Sequence, residues 1–157
     1  MGATHTLLLV DDDELVRRTL KESLSRTYRV LTASDGSEAL NVLQGEDIQI
    51  VLSDQRMPGI SGAQLCAQIR ELRPDTIRII VTGFGGVSIL QEAYKSGDIY
   101  YYLMKPCNLD QLKMLLHRAA EAHDLIVENR RLRETTGETR PGGQGGAWNL
   151  WDPAPSS

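Results

Sequence analysis

The sequence contains few cysteines and no long hydrophobic run. Cys66 and Cys107 lie far apart and lack the spacing of a metal site, so we expect two reduced thiols of the kind found in cytoplasmic proteins. No apolar stretch approaches the roughly 18 residues that a membrane-spanning helix needs. The amino terminus also lacks the basic-then-apolar pattern of a secretion signal. We therefore expect a cytoplasmic protein that does not associate with a membrane.

An excess of basic charge is missing as well. Lysine and arginine number 17 against 21 aspartates and glutamates, giving a net charge of −4, whereas a nucleic-acid-binding face is usually basic. Direct nucleic-acid binding is therefore not expected. The three histidines, His5, His117 and His123, show no metal-ligand spacing, and we expect solvated or packed imidazoles.

Short apolar runs alternate with stretches of helical periodicity along the 157 residues, a length that suits one domain with a sizeable core. Continuous apolar strands that alternate strictly with helices predict a parallel sheet covered on both faces. Strands are predicted at 6–10, 29–33, 48–53, 77–82 and 100–104, and helices at 14–25, 37–44, 61–72, 86–96 and 108–132. The expected fold class is α/β, a doubly wound five-stranded parallel sheet with an extended C-terminal helix.

Composition divides the chain into three segments. We predict a domain at 1–123, a helical extension at 124–136 that is either a coiled coil or a linker, and a disordered tail at 137–157 with five glycines and three prolines. Trp148 and Trp151 lie in this tail. They indicate either a short docking peptide or a remnant without function.

Polar side chains follow the apolar strands at their carboxyl ends. Asp11 and Asp12 follow the first strand, Asp54 the third, Thr82 ends the fourth, and Lys105 follows the fifth. Open α/β sheets place their ligand crevice at this edge. Three converging carboxylates repel one another, and Mg²⁺ would offset that repulsion. The set predicts an aspartyl nucleophile, Asp54, with a lysine and a hydroxyl for phosphoryl oxygens.

These residues occur in four motifs that together resemble the receiver domain of two-component response regulators. The motifs are Val10–Asp13, Ser53–Gly59, Val81–Gly83 and Lys105–Pro106, in the family's order and spacing, and the resemblance covers about residues 5–120. It implies a CheY-like, or flavodoxin-like, fold with strand order 2-1-3-4-5. It also implies a regulatory phosphoacceptor in a phosphorelay, not an enzyme beyond self-catalysed phosphorylation and dephosphorylation.

The resemblance assigns a role to each matching residue. Asp54 would accept a phosphoryl group from a sensor histidine kinase or phosphotransfer protein. Asp12 and Asp54 would bind Mg²⁺ directly, Asp11 through water, and Arg56 through its backbone carbonyl. The remaining roles are Thr82 as switch hydroxyl, Tyr102 as switch aromatic, Lys105–Pro106 as a cis peptide, and Arg56 and Phe84 as positions that influence phosphoryl lifetime. Asp13, which follows the acidic pair, is expected to be a helix N-cap.

Several alternatives stay open. A dehalogenase-like phosphatase also uses an aspartyl nucleophile, but on its first strand, whereas Asp54 follows the third. A stand-alone receiver or an interaction-only pseudo-receiver is a further alternative to control of an output domain absent from this chain. The motifs resemble receivers attached to HD-type phosphohydrolase or ATPase-type transcription-activator outputs.

The end of the fifth helix suggests a homodimer. Ala122, Leu125, Asn129 and Leu132 follow the spacing of a heptad seam, and a polar Asn at one seam position would favour a two-stranded coiled coil. The stripe before it, Leu109, Leu112, Leu116 and Ala119, suits packing on the sheet. The alternative is a solvated linker to an output domain.

Overall fold

The computed structural model describes residues 5–83 and 86–136. Its strands are β1 Thr6–Val10, β2 Arg29–Ala33, β3 Ile50–Asp54, β4 Ile77–Thr82 and β5 Tyr101–Met104. Its helices are α1 Glu14–Leu24, α2 Gly36–Gly45, α3 Gly62–Leu72, α4 Val87–Ser96 and α5 Leu109–Thr136. All strands of this sheet are parallel and their order is β2-β1-β3-β4-β5. The expected fold class and strand order are confirmed.

Most observed boundaries lie within one residue of the prediction, and the larger differences are in β3 and α5. β3 begins at Ile50 instead of residue 48 and includes Asp54, and α5 continues past Leu132 to Thr136. No helix among the described residues is long and apolar enough to cross a membrane. Phe84 and the predicted tail, with Trp148 and Trp151, lie outside the described residues.

Side-chain caps set the starts of most helices. The Asp13 carboxylate accepts hydrogen bonds from the backbone N–H groups of Leu15 and Val16, which satisfies two of the otherwise unpaired donors of α1. Asn108 likewise accepts a bond of 2.7 Å from the Gln111 backbone N–H at the start of α5. Asp13 is therefore the N-cap that we expected for α1, and Asn108 plays the same role for α5.

The two faces of the sheet carry separate parts of the core. Leu7 and Leu9 of β1 pack with residues of α1 and α5, while Leu8 and Val10 pack with residues of α2 and α3. This division follows from the alternation of side chains along a strand. A third cluster, around Ile80 and Leu90, joins α3 to α4. Because both faces are covered, the central strands are apolar at nearly every position.

The buried stripe of α5 is longer than expected. Leu112, Leu116 and Ala119 pack in the core as predicted, but Ala122 is also buried there, only 1% exposed. Its assignment to an intermolecular seam is therefore wrong, since the domain's own core covers it. Leu125 and Leu132 remain about half exposed, at 52% and 48%. Leu109, expected in the buried stripe, is 38% exposed because it lies at the first turn of the helix.

The two thiols differ in their surroundings, which gives a testable difference in reactivity. Cys66 is buried, and burial raises the pKa of its thiol to about 12, so the thiolate is scarce at pH 8. Cys107 is only partly buried. We expect the native protein to react with Ellman's reagent at one thiol, and at the second only after unfolding. Cys107→Ser should remove the fast phase; two equally fast thiols in the native protein would contradict the burial of Cys66.

Candidate functional site

The acidic residues converge at the carboxyl ends of neighbouring strands. Val10 of β1 is in register with Ser53 of β3, so Asp11 and Asp54 end adjacent strands. Oxygen atoms of the Asp11, Asp12 and Asp54 carboxylates all lie within 4.8 Å of one another. Asp11 is buried and Asp12 is exposed, while Asp54 is mostly buried. The cluster is therefore compact enough for one cation and is open to solvent on the Asp12 side.

Burial and the crowding of carboxylates raise the pKa of Asp11. Burial is the largest cause that raises its pKa, and repulsion from Asp54 and Asp12 raises it further. The backbone N–H of Asp13, which donates a bond of 2.9 Å to the Asp11 carboxylate, and the charge of Lys105 oppose this but do not outweigh it. A cation bound here would relieve both the desolvation and the repulsion.

Lys105 reaches the acidic cluster from β5. Its Nζ atom lies 3.3 Å from Oδ1 of Asp54, and its backbone N–H donates a bond of 2.7 Å to the Thr82 carbonyl, which continues the pairing of β4 with β5. The Lys105–Pro106 peptide bond is cis. The ammonium group thus lies where it can meet a negatively charged group added to Asp54.

Thr82 lies deep in the neighbouring strand end. It is only 2% exposed, and its hydroxyl donates to the Gly83 carbonyl across 3.3 Å. Asp54 is in register with Val81, so Thr82 is one position further along β4 on the same edge. A Cβ atom on Gly86 would lie 2.7 Å from the Thr82 hydroxyl oxygen. The absence of a side chain at Gly86 therefore leaves this hydroxyl room at the start of α4.

Gln55 is a positioning residue that the sequence analysis did not identify. It is 8% exposed, and its side-chain oxygen accepts a bond of 2.8 Å from the Ala63 backbone N–H. Its own backbone N–H donates to the Val81 carbonyl, and its carbonyl accepts from the Gly62 N–H. These bonds join β3, β4 and α3 directly behind Asp54. A glutamine after an acid carries no local signal of burial, so only the packing reveals this role.

Gly62 explains how α3 comes so near to this strand end. A Cβ atom there would lie 2.5 Å from the carbonyl oxygen of Asp54, a distance that no side chain tolerates. The small residue lets the first turn of α3 contact the backbone of β3. The main chain at Asp54 is therefore fixed from both sides.

Tyr102 lies on β5 away from the carboxylates. It is half-buried against the cluster of α3 and α4, and its ring centroid lies 6.4 Å from that of Tyr94 in an edge-on arrangement. Tyr101, beside it, is more exposed. Arg56 is exposed at the loop after β3. Most residues that the resemblance singled out lie at the carboxyl edge of the sheet: Asp11, Asp12, Asp54, Thr82 and Lys105. Tyr102 does not lie with them, because its ring packs against α4.

A cavity of about 780 Å³ opens beside the acidic cluster, between α1 and the start of α5. Asp11, Asp54 and Lys105 form its polar end, and the rest is mainly apolar, with Leu15, Leu20, Leu109 and Leu112 among the lining residues. The polar end leaves room for a phosphoryl-sized group next to Asp54.

Comparison with known proteins identifies the family to which this chain belongs. The family model of the response regulator receiver domain matches residues 7–117. Hydrogenase transcriptional regulatory protein HoxA of Cupriavidus necator is 33% identical over 127 residues, covering 81% of this chain and 26% of that protein. C4-dicarboxylate transport transcriptional regulatory protein DctD of Rhizobium meliloti is 36% identical over 134 residues, covering 85% of this chain and 29% of that protein. The chain thus spans little more than a quarter of the length of these relatives.

Solved structures agree with the family match. The crystal structure of response regulator protein TrrA from Thermotoga maritima, in complex with Mg²⁺ and BeF, has a TM-score of 0.65 and 32% identity, covering 74% of this chain and 99% of that one. This chain belongs to the receiver domain family of response regulators, whose members act in phosphorelay signalling.

Proposed function

We propose that Asp54 accepts a phosphoryl group from a phosphohistidine of a sensor histidine kinase or phosphotransfer protein. In this transfer the P–N bond of the donor breaks, a P–O bond to the Asp54 carboxylate forms, and the released imidazole takes up a proton. The observation that carries the proposal is the distance of 3.3 Å between the Asp54 carboxylate and Lys105 Nζ, with Asp11 and Asp12 in the same cluster. Lys105 neutralises charge on the incoming phosphoryl oxygens.

The donor set fits Mg²⁺. Asp12 and Asp54 would hold it directly, Asp11 through water, and Arg56 through its backbone carbonyl, which makes an all-oxygen set of the kind this hard cation prefers. The raised pKa of Asp11 supports the fit, because burial and like charge leave a carboxylate here in need of a cation. When bound, Mg²⁺ reduces the repulsion between the carboxylates and an anionic phosphoryl group. The structure of TrrA with Mg²⁺ and BeF is consistent with such a site.

Phosphorylation would act as a conformational switch. Shifting a two-state equilibrium from 1:99 to 99:1 requires about 5.5 kcal/mol of differential stabilisation. Hydrogen bonds from Lys105 and Thr82 to the phosphoryl oxygens would contribute about 1.5–3 kcal/mol each, which together is the size required. Movement of the Thr82 hydroxyl towards the phosphoryl group vacates space beside β5. Tyr102 turns into this space and changes the face formed by α4, β5 and α5.

The proposed switch can be tested because Thr82 should be needed for the response to phosphorylation but not for phosphorylation itself. We expect Thr82→Ala to be phosphorylated to within about threefold of wild type, since Asp54 and Lys105 are intact. The variant should lose most of the phosphorylation-dependent change in amide hydrogen exchange across α4 and β5. Thr82→Ser, which keeps the hydroxyl, should retain that change. A full response in Thr82→Ala would contradict the switch, and complete loss of labelling would contradict its separation from transfer.

The names of the relatives support a regulatory role for this receiver. HoxA and DctD are named as transcriptional regulatory proteins, and this chain matches only the receiver-length part of them. We propose that the receiver of residues 1–123 controls a transcription-regulating output through the helical extension of 124–136, in the cytoplasm. It acts as a phosphoacceptor that catalyses only its own phosphorylation and dephosphorylation. A stand-alone receiver without an output of its own is the second candidate.

The exposed end of α5 predicts weak self-association. Leu125 and Leu132 are about half exposed on the C-terminal part of α5, with exposed Asn129 between them. Without Ala122 the predicted coiled-coil seam is short. Helical segments under about 12–15 residues have marginal stability on their own, so the dimer should be weak. We expect a concentration-dependent dimer in light scattering, strengthened by a phosphoryl mimic. Leu125→Ala with Leu132→Ala should weaken it at least tenfold.

The matched control for this pair is Leu72→Ala. Leu72 is similarly exposed, at 50%, but ends α3 on the other face of the sheet. It should leave association unchanged. A monomer at all concentrations, with or without the mimic, would mean that the extension serves as a linker only.

A further inference from the structure

Two histidines that the sequence keeps far apart meet at the opposite edge of the sheet from Asp54. His5 directly precedes β1, and His123 and Asp124 lie on consecutive positions of α5. His5 Nε2 lies 2.9 Å from Oδ1 of Asp124, and His123 Nδ1 lies 3.3 Å from the same oxygen. Ligand atoms of all three side chains lie within 4.8 Å of one another. The sequence led us to expect solvated or packed imidazoles, and His5 and His123 are indeed partly buried. The fold also brings their ring nitrogens close to the Asp124 carboxylate, which the spacing in the sequence does not show.

The distances suit a four-coordinate metal ion. Bonds of about 2.0–2.1 Å from Zn²⁺ to imidazole nitrogen and carboxylate oxygen place neighbouring ligand atoms roughly 3.3–3.4 Å apart in a tetrahedron. The two distances to Asp124 are 2.9 and 3.3 Å, so only small shifts are needed to admit an ion. Imidazole with carboxylate is a ligand set for zinc, nickel or copper, and is unlike the all-oxygen set at Asp54.

The backbone holds these ligands in place on both sides. The His5 carbonyl accepts a bond of 3.0 Å from the Arg29 N–H, which ties this residue to β2. Ala122, next to His123, is buried in the core and sets the rotation of α5 at this point. The side chains of His5 and His123 are only 14% and 15% exposed, whereas Asp124 is 61% exposed. The cluster is thus partly enclosed, with one open side for water or a further ligand.

We propose that His5, His123 and Asp124 form a second metal site, which binds a divalent transition ion such as Zn²⁺ through two imidazoles and one carboxylate. The fourth position is open to water. The ion joins the start of β1 to α5 near the last turns of the helix that pack on the core. Its occupancy therefore stabilises the base of the helical extension. The site is separated from the acidic cluster by the length of β1, roughly 20 Å for the residues between His5 and Asp11.

Calorimetric titration of the full chain with Zn²⁺ tests this site. Saturating Mg²⁺ occupies the acidic cluster, and a Cys107→Ser background removes the partly exposed thiol as a competing ligand. We expect one Zn²⁺ per chain. His5→Gln and His123→Gln should each raise the dissociation constant at least tenfold. His117→Ala is the matched control: His117 is the other histidine of the sequence, exposed and paired with Glu121 on α5, and its loss should change nothing.

Thermal unfolding provides the second readout and separates metal binding from a purely structural hydrogen-bonded triad. Zn²⁺ should raise the melting temperature of the parent chain but not that of His5→Gln, although glutamine keeps a polar partner for Asp124. Zinc binding of equal affinity in His5→Gln, or binding that disappears in His117→Ala, would overturn the proposal. The absence of any binding heat together with an unchanged melting temperature would also overturn it.

Discussion

Asp54→Asn should abolish the gain of one phosphoryl group that we expect when the chain is incubated with acetyl phosphate and Mg²⁺. Asparagine keeps the size of the side chain but is a far weaker nucleophile than a carboxylate, and it removes one charge from the proposed metal site. Intact-protein mass spectrometry should show one added phosphoryl mass for wild type and none for the variant. Chelation of the metal should suppress labelling of the wild type, because the carboxylates then repel the donor.

Asp13→Asn is the matched control for this experiment. Asp13 follows Asp11 and Asp12 directly, but its carboxylate caps α1 by accepting from Leu15 and Val16. Asparagine is about as good an N-cap as aspartate, so the fold should persist. This variant should gain one phosphoryl mass with Mg²⁺ dependence like that of the wild type. Labelling of Asp54→Asn under the same conditions would show that another residue is the acceptor.

Arg78→Met should reduce the free energy of unfolding by roughly 3–5 kcal/mol, the largest stability effect that we expect from a single polar residue. Arg78 is 8% exposed on β4, and its guanidinium donates bonds of 2.7, 2.9 and 3.2 Å to the carbonyls of Asp98, Thr76 and Gly97. Charge-assisted bonds contribute about 1.5–3 kcal/mol each, and relief of the guanidinium's desolvation offsets part of their loss. Methionine fills much of the volume but leaves these carbonyls without a donor.

Chemical denaturation of Arg78→Met beside Arg18→Met checks this expectation. Arg18 is exposed on α1 and pairs with Glu14 one turn away, a surface ion pair of the kind that contributes about 0.3–0.5 kcal/mol. A loss in Arg78→Met no larger than in Arg18→Met would mean that the α4–β5 loop does not depend on this guanidinium. The loop that Arg78 holds leads into β5, and Lys105 directly follows β5. Loosening this loop should therefore also weaken phosphorylation of Asp54.

The core of the fold could be predicted because its signals are local. An apolar run such as Leu7–Val10 indicates a strand buried on both faces wherever it is placed, and Asp13 caps a helix with bonds to residues two and three positions away. The strand-end residues Asp54 and Lys105 could be foreseen in one crevice, since parallel strands share their carboxyl edge. The observed ends of β3 and β5 differ from the predicted ends by one or two residues. Hydrogen bonding to the neighbouring strand, and not the propensity of single residues, decides where strand pairing starts.

The remaining features depend on side chains that meet only after folding. The buried position of Ala122 was not predicted because a small residue at a helix turn suits an external seam and an internal core equally well. Arg78 and Gln55 are residue types that usually lie at the surface, and their burial follows from carbonyls and N–H groups contributed by other segments. The sequence alone determined the strand and helix pattern and the set of polar residues at the strand ends around Asp54, because short-range patterns encode them. Only the tertiary structure decided the burial of Arg78 and the meeting of His5 with His123, because these depend on packing between segments far apart in the chain.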